Sequence, residues 1–273
     1  MNKIEISQQE LAKLKIIGQG SEGTIYKYNN KELLKIYHSY SDCMQLSIKN
    51  TLFDKDGVNI TPIKDYQKKR RQQNTIQFID EEGVKLYRKE SILKAIEKQK
   101  DIHLTKLPEK LVYVDGHLKG CSLYYHHPSS NIYNAMYIPV YRARLKIVKK
   151  ILEEVQELLD HNIYHIDLCQ HPTSESRNTN VLLTSFLDPQ IIDIDGHSAI
   201  YSAIKNKKYQ KITEFSLGVL VIELLSQEYI TEYIANPEDE RLCYTLADRL
   251  PEPLITDFLN NELTLERMKK HLY

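Results

Sequence analysis

The sequence predicts an α+β protein with two unequal lobes, a small antiparallel β-sheet lobe first and a mainly helical lobe after it. Three observations carry this. Short alternating apolar runs, separated by turn residues, crowd the first part of the chain. A long stretch with helical apolar spacing starts at Tyr141. Further on, "FSLGVLVIELLS" from Phe215 to Ser226 is apolar nearly all round, the mark of a buried helix. Strands gathered ahead of helices are the α+β pattern.

In chain order, residues 12–17, 24–28 and 32–37 are the first strands, with Asn29–Lys31 as a hairpin turn. Residues 39–83 are polar and irregular. A helix is expected over 85–99, from Leu86, Ile92, Leu93 and Ile96. "KLVYVDGHLKGCSLYY" is a second hairpin with Asp115-Gly116 at its tip. The helix at 141–161 is marked by Leu145, Val148, Ile151, Leu152, Val155, Leu158 and Leu159. Two short strands follow, 181–183 and 190–194, parted by Asp188-Pro189, and the tail is amphipathic helix.

The charge is balanced, 37 basic against 37 acidic residues, so no net field draws nucleic acid or an anionic membrane. The basic run Lys68–Arg71 has acidic residues on both sides and fits a solvated helix face better than a nucleic-acid patch. No apolar run approaches a membrane span, and the first ten residues lack a signal peptide's apolar stretch. Cys43, Cys121, Cys169 and Cys243 are scattered with no C-x-x-C, as free thiols of a reducing cytoplasm are. His126, His127, His165, His171 and His197 match no compact zinc spacing.

"KIIGQGSEGTIYK" places Gly18, Gly20 and Gly23 in a G-x-G-x-x-G. A dinucleotide-binding version needs a helix after the glycines. Here the β-rich "TIYKY" follows, so the stretch is either an ordinary hairpin turn or a loop whose backbone covers phosphate. On the next strand "LLKIY" carries Lys35, costly to bury without a charged partner.

Later signals fall in a matching order. After the long helix comes His165-Ile166-Asp167-Leu168, then Asn180 ahead of "VLL", then Asp193-Ile194-Asp195 in "IIDIDG". Together these residues resemble the protein-kinase superfamily in its eukaryotic-like Ser/Thr form, divergent and minimal, over about residues 12–270. The resemblance implies a bilobal protein-kinase-like fold, with an N-lobe at 1–126, including an insertion at 39–83, and a C-lobe at 127–273.

It also implies ATP and Mg²⁺ as cofactors and a protein substrate, while the balanced charge and the lack of a long apolar run lead to the expectation of no nucleic acid and no membrane as partners. Gly18, Gly20, Gly23 and Ile25 would cover the phosphates, and Lys35 would contact them. A helix glutamate, Glu90 or in its place Glu97, would pair with Lys35. Leu123 would back the adenine, with Tyr124, Tyr125 and His126 as the hinge. Asp193 and Asn180 would hold metal, and Asp167 would receive or orient the acceptor hydroxyl's proton.

Some positions depart from the family. Ile166 replaces the arginine that binds a phosphorylated loop, so activity without such phosphorylation is expected. Asp167 and Asn180 lie 13 positions apart, against about five in the motif, with "QHPTSESR" between them. An outward bulge is expected there. Asp195 replaces a glycine, as a further metal ligand or a capping residue. Thr213 stands where a helix aspartate braces the catalytic loop, and Cys169 is either redox-sensitive or packed. No Ala-Pro-Glu precedes Phe215, a meagre platform for a peptide. The readings are therefore a Ser/Thr protein kinase, a small-molecule kinase, or a pseudokinase scaffold.

Overall fold

The computed structural model describes residues 3–20, 23–38, 92–126, 129–169, 179–195, 199–230 and 246–273. They fall into two compact units. The first holds the described residues up to 126 together with Asp193–Asp195; the second holds the others.

The first unit is a six-stranded sheet in the order β1-β5-β6-β4-β3-β2. Its strands are β1 (Lys3–Ile6), β2 (Lys15–Gln19), β3 (Gly23–Lys27), β4 (Glu32–Tyr37), β5 (Lys110–Val114) and β6 (His117–Tyr124). Both expected hairpins form. The β3–β4 turn is held by Asn29, whose Oδ1 accepts the Lys31 N–H at 2.8 Å. The β5–β6 turn has Asp115 at φ 48° and Gly116 at φ 80°, two successive left-handed residues as a tight two-residue hairpin requires.

The sheet is mixed rather than antiparallel, because β1 runs parallel to β5. In "KIEI" the alternate residues Ile4 and Ile6 are buried, and they join Leu11, Leu34, Val112 and Val114 in one apolar cluster. That burial draws the strand onto the free edge of β5. The intervening chain is long enough for the crossover that parallel pairing needs. Helix α1 (Gln8–Leu11) follows, with a capping box between Ser7 and Glu10. It ends on Ala12, so β2 starts at Lys15 rather than at residue 12. Of the helix expected over 85–99, the described part is α2, spanning 92–98. Its residues Ile92 and Ala95 are fully buried.

Close approach of β4 and β6 depends on Gly120. An added Cβ there would lie 1.8 Å from the Lys35 carbonyl oxygen. Gly120→Ala is therefore expected to cost about 3 kcal/mol or more, since the obstacle is backbone and cannot swing away. Thermal unfolding measures this. A melting midpoint equal to the parent's would show that the two strands can separate freely.

The second unit is built on α3 (Tyr141–Asp160) and α4 (Lys207–Ser226), preceded by a 3-10 turn at Ile132–Tyr137. Helix α3 buries Ile147, Val148, Ile151, Leu152, Val155 and Leu158, the stripe its spacing predicts. Every residue of α4 from Ser216 to Ser226 is buried, so its uniformly apolar sequence reflects contact on all sides. Strands β7 (Ser129–Asn131), β9 (Val181–Thr184) and β10 (Pro189–Ile191) form one small sheet in the order β10-β9-β7. Strands β8 (Ile163–His165) and β11 (Ala199–Tyr201) pair as a second. The tail gives α5 (Glu252–Leu259) and α6 (Leu265–Leu272). Among the described residues no helix is long and apolar enough to cross a membrane.

Candidate functional site

In the first unit the glycine stretch is strand, turn, strand. β2 and β3 pair antiparallel with a register shift between Ile16 and Gly18, and the Gly20 N–H bonds to the Gly23 carbonyl at 2.9 Å. The three glycines have different reasons to be there. A Cβ at Gly23 would lie 2.5 Å from the Ile36 carbonyl oxygen, so β4 demands that glycine. At Gly20 a Cβ would meet nothing within 4 Å, and at Gly18 only Ile25 at 4.0 Å. Protein packing therefore explains Gly23 alone. The bare backbone at Gly18 and Gly20 leaves room for a phosphate oxygen to come close, with the Gly20 N–H already committed to Gly23. Ser21 and Glu22 lie outside the described residues.

Strand β4 sets Lys35 and Tyr37 on the same face, two residues apart. Lys35 is 6% exposed, and its ammonium is held by Asp193 and, at 2.9 Å, by Asp195 Oδ1. The other Asp195 oxygen accepts from the Tyr37 hydroxyl at 2.5 Å, with the Cys121 thiol at 4.0 Å. Burial, followed by the Asp195 charge, pushes the Tyr37 phenol well above its ordinary range, so it remains a donor. The same two causes push the Cys121 thiol up. Asp193 adopts φ 62°, a left-handed backbone that aspartate tolerates better than most non-glycine residues. It lies beyond the end of β10 at Ile191, not inside a strand running to residue 194.

The two carboxylates differ in access. The Asp193 side chain is 24% exposed and that of Asp195 only 2%. Both Asp195 oxygens are committed inside, one to Lys35 and one to Tyr37, while Asp193 is the more accessible of the two carboxylates. Among the described residues no three His, Cys, Asp or Glu side chains form a metal cage.

Of the expected lysine partners, Glu90 lies outside the described residues, and Glu97 is exposed on α2. Ile25 is half-buried, opposite Lys35 across β3 and β4. Leu123 faces Leu33, and Tyr124 faces Glu32. The Tyr125 N–H is spent on the Lys31 carbonyl at 2.9 Å and is not offered to a ligand. Burial, with Lys106 nearby, pushes the His126 imidazole down to about 4, so it is neutral near pH 7.

In the second unit, Asp167 and Asn180 meet despite their separation in sequence. Asn180 Nδ2 donates to the Asp167 carbonyl at 2.6 Å and lies 3.4 Å from Asp167 Oδ2. A bridge between Cys169 and Thr179 and an Asn180 N–H bond to the Leu168 carbonyl close the chain at that level. The extra length thus leaves the motif residues together, and "QHPTSESR" itself lies outside the described residues. Because Asn180 donates through nitrogen, its amide oxygen is the atom left to face a cation.

His165 is fully buried beneath this loop. Its Nε2 bonds to the Ile192 carbonyl at 2.9 Å and its Nδ1 receives the Asp167 N–H at 3.3 Å, so the ring is the Nε2–H tautomer with a structural task. Ile192 N–H bonds to the Asn180 carbonyl at 2.8 Å, and Ile191 N–H to Glu154 Oε2 at 3.1 Å. The backbone leading to Asp193 is thereby pinned from three directions.

Cys169 is packed. Its N–H bonds to Ser216 Oγ at 3.1 Å, its thiol to the Ser216 carbonyl at 3.2 Å, and burial pushes the thiol far above the reactive range. Ser216, not Thr213, ties this loop to α4, since the Thr213 hydroxyl bonds Tyr209 on its own helix. Sequence reasoning missed Tyr37, Glu154 and Ser216. For Glu154 a signal existed, a charge set on the apolar stripe between Ile151 and Leu158.

No known family matches the chain in sequence, and no curated protein does. In structure, 1010 solved chains match. One of them, the apo structure of a pseudokinase, aligns over 100% of this chain and 96% of its own at 12% identity, with a TM-score of 0.50. At that identity the likeness shows fold alone, and the fold is protein-kinase-like.

Proposed function

We propose that the protein is an ATP-dependent kinase that transfers the γ-phosphate to a Ser or Thr hydroxyl of a protein, itself included, in the cytoplasm. The observation that carries this is the buried Lys35 ammonium held by the open Asp193 and the closed Asp195 on a strand beside a glycine hairpin. A cation fixed inside, with one exchangeable counter-charge, is built to meet an anion of high charge. The bare backbone at Gly18 and Gly20 would lie close to the phosphates, and Lys35 would hold them. Leu123 and the hinge Tyr124–His126 would receive the adenine. Asp193 would hold Mg²⁺, and the Asn180 amide oxygen would be a ligand of a second ion. Mg²⁺, when bound, offsets the charge that builds on the phosphate oxygens.

The acceptor hydroxyl oxygen bonds to the γ-phosphorus as the bond to the ADP oxygen breaks, and its proton passes to Asp167. Asn180 keeps the Asp167 loop in place. No phosphate on the following segment is required, because Ile166 has neither charge nor donor.

One observation favours a small-molecule hydroxyl as acceptor instead. β11 returns to β8 only four residues after Asp195, and α4 begins at Lys207, so little chain remains to seat a peptide. The pseudokinase status of the solved neighbour is a property of that protein, whereas here lysine, both aspartates and asparagine are all present. The test is γ-labelled ATP with phosphatase-treated pure protein, with and without Mg²⁺. Label in the protein from the first turnover supports the protein-kinase reading. Turnover only with added hydroxyl metabolites moves the acceptor to a small molecule. No Mg²⁺-dependent ATP binding makes the protein a scaffold.

A further inference from the structure

We infer that Asp195 is the positioning residue for Lys35, the fixed carboxylate that aims the ammonium, with Tyr37 holding Asp195 in turn. The inference rests on the nucleotide reading above and gives Asp195 a role that the family motif, which has glycine there, does not contain.

The argument is geometric. An ammonium that must hold phosphate needs one partner that stays when the ligand arrives and can spare another. Asp195 is 2% exposed and spends one oxygen on Lys35 at 2.9 Å and the other on Tyr37 at 2.5 Å. Neither oxygen is open to a ligand. Asp193, on the same ammonium, is more accessible, with 24% of its side chain exposed. The two aspartates thus divide the work, one exchangeable and one permanent.

The sequence pattern that builds this is short. Lys-x-Tyr on β4 puts both donors on one face, and Asp-x-Asp brings both acceptors to them. Cys121 stands opposite Lys35 on β6, and Gly120 beside it lets β6 close on β4. Metal carboxylate and lysine support therefore arrive on one three-residue turn.

The test is binding of a fluorescent ATP analogue, in chelator and in Mg²⁺, to the parent, Asp195→Asn, Tyr37→Phe, Asp193→Asn and Lys35→Met proteins. Asp195→Asn is expected to weaken metal-free binding about tenfold and Tyr37→Phe about threefold, since charge-assisted bonds orient the ammonium. Asp193→Asn should abolish the gain from Mg²⁺. In a Lys35→Met background, Asp195→Asn should change affinity by less than about twofold, because Asp195 acts through the lysine. An equal loss in both backgrounds overturns the inference, as does an Asp195→Asn protein that binds like the parent.

A nucleotide-free measurement separates this from the proposed function. Acetylation of Lys35 by an amine-reactive ester, followed by mass spectrometry, should be about tenfold faster in Asp195→Asn relative to the surface lysines. If the parent binds no nucleotide, the kinase reading fails while the labelling still decides Asp195. Unchanged Lys35 labelling overturns the pairing. Should Asp195→Asn not fold, Tyr37→Phe carries the same comparisons.

Discussion

Lys35→Met is expected to lower phosphoryl transfer by about a hundred- to a thousandfold, the scale of removing one preorganised donor from a developing negative charge. Methionine keeps the length and apolar stem of lysine, so β4 retains its packing between β3 and β6. What is lost is the charge. Asp193 and Asp195 then face each other without their shared cation, and a buried pair broken on one side costs about 3–5 kcal/mol. Activity and stability should therefore fall together, and a second substitution separates them. Lys35→Met with Asp195→Asn should recover much of the thermal stability, since the closed carboxylate is gone, and none of the turnover. Initial rates with γ-labelled ATP beside melting curves read both. Parent-like turnover in a folded Lys35→Met protein would remove Lys35 from the mechanism.

Asp167→Asn should reduce kcat by about a hundred- to ten-thousandfold, with KM for ATP within about twofold. An amide cannot take the acceptor proton, and Asp167 is assigned no contact with nucleotide. The substitution is mild structurally. The bond from Asn180 Nδ2 is made to the backbone carbonyl of residue 167, and the N–H of that residue bonds to His165, so both anchors survive the change. The kcat and KM split is the readout. A rise in KM alone would place Asp167 in substrate binding instead.

Much of the frame could be read from the sequence because local chemistry encodes it. Asn29 and Asp115-Gly116 turn the chain by their own backbone preferences. The stripe of α3 and the apolar run of α4 declare their burial directly. β1 was not legible. Four residues carry too little periodicity, and the partner strand lies more than a hundred positions on.

The site divides in the same way. Lys35, Asp167, Asn180 and Asp193 stand out by residue type and order. The role of Asp195 does not, because a carboxylate in a turn reads equally as a metal ligand, a cap or an ion-pair partner. Only burial and the position of Tyr37 choose among these. The separation of Asp167 from Asn180 looked like a departure, since sequence counts residues along the chain and cannot show that Cys169 and Thr179 lie side by side.

The charges that neutralise Lys35 sit 158 and 160 positions downstream of it. At roughly 5–20 residues per second, a ribosome delivers them about 8–30 s after the lysine. Throughout that interval the nascent sheet carries the Lys35 ammonium without these two carboxylates, and a charge short of favourable partners resists being drawn inside. The Lys35 side of the sheet is therefore expected to complete its polar contacts only after residue 195 has been made.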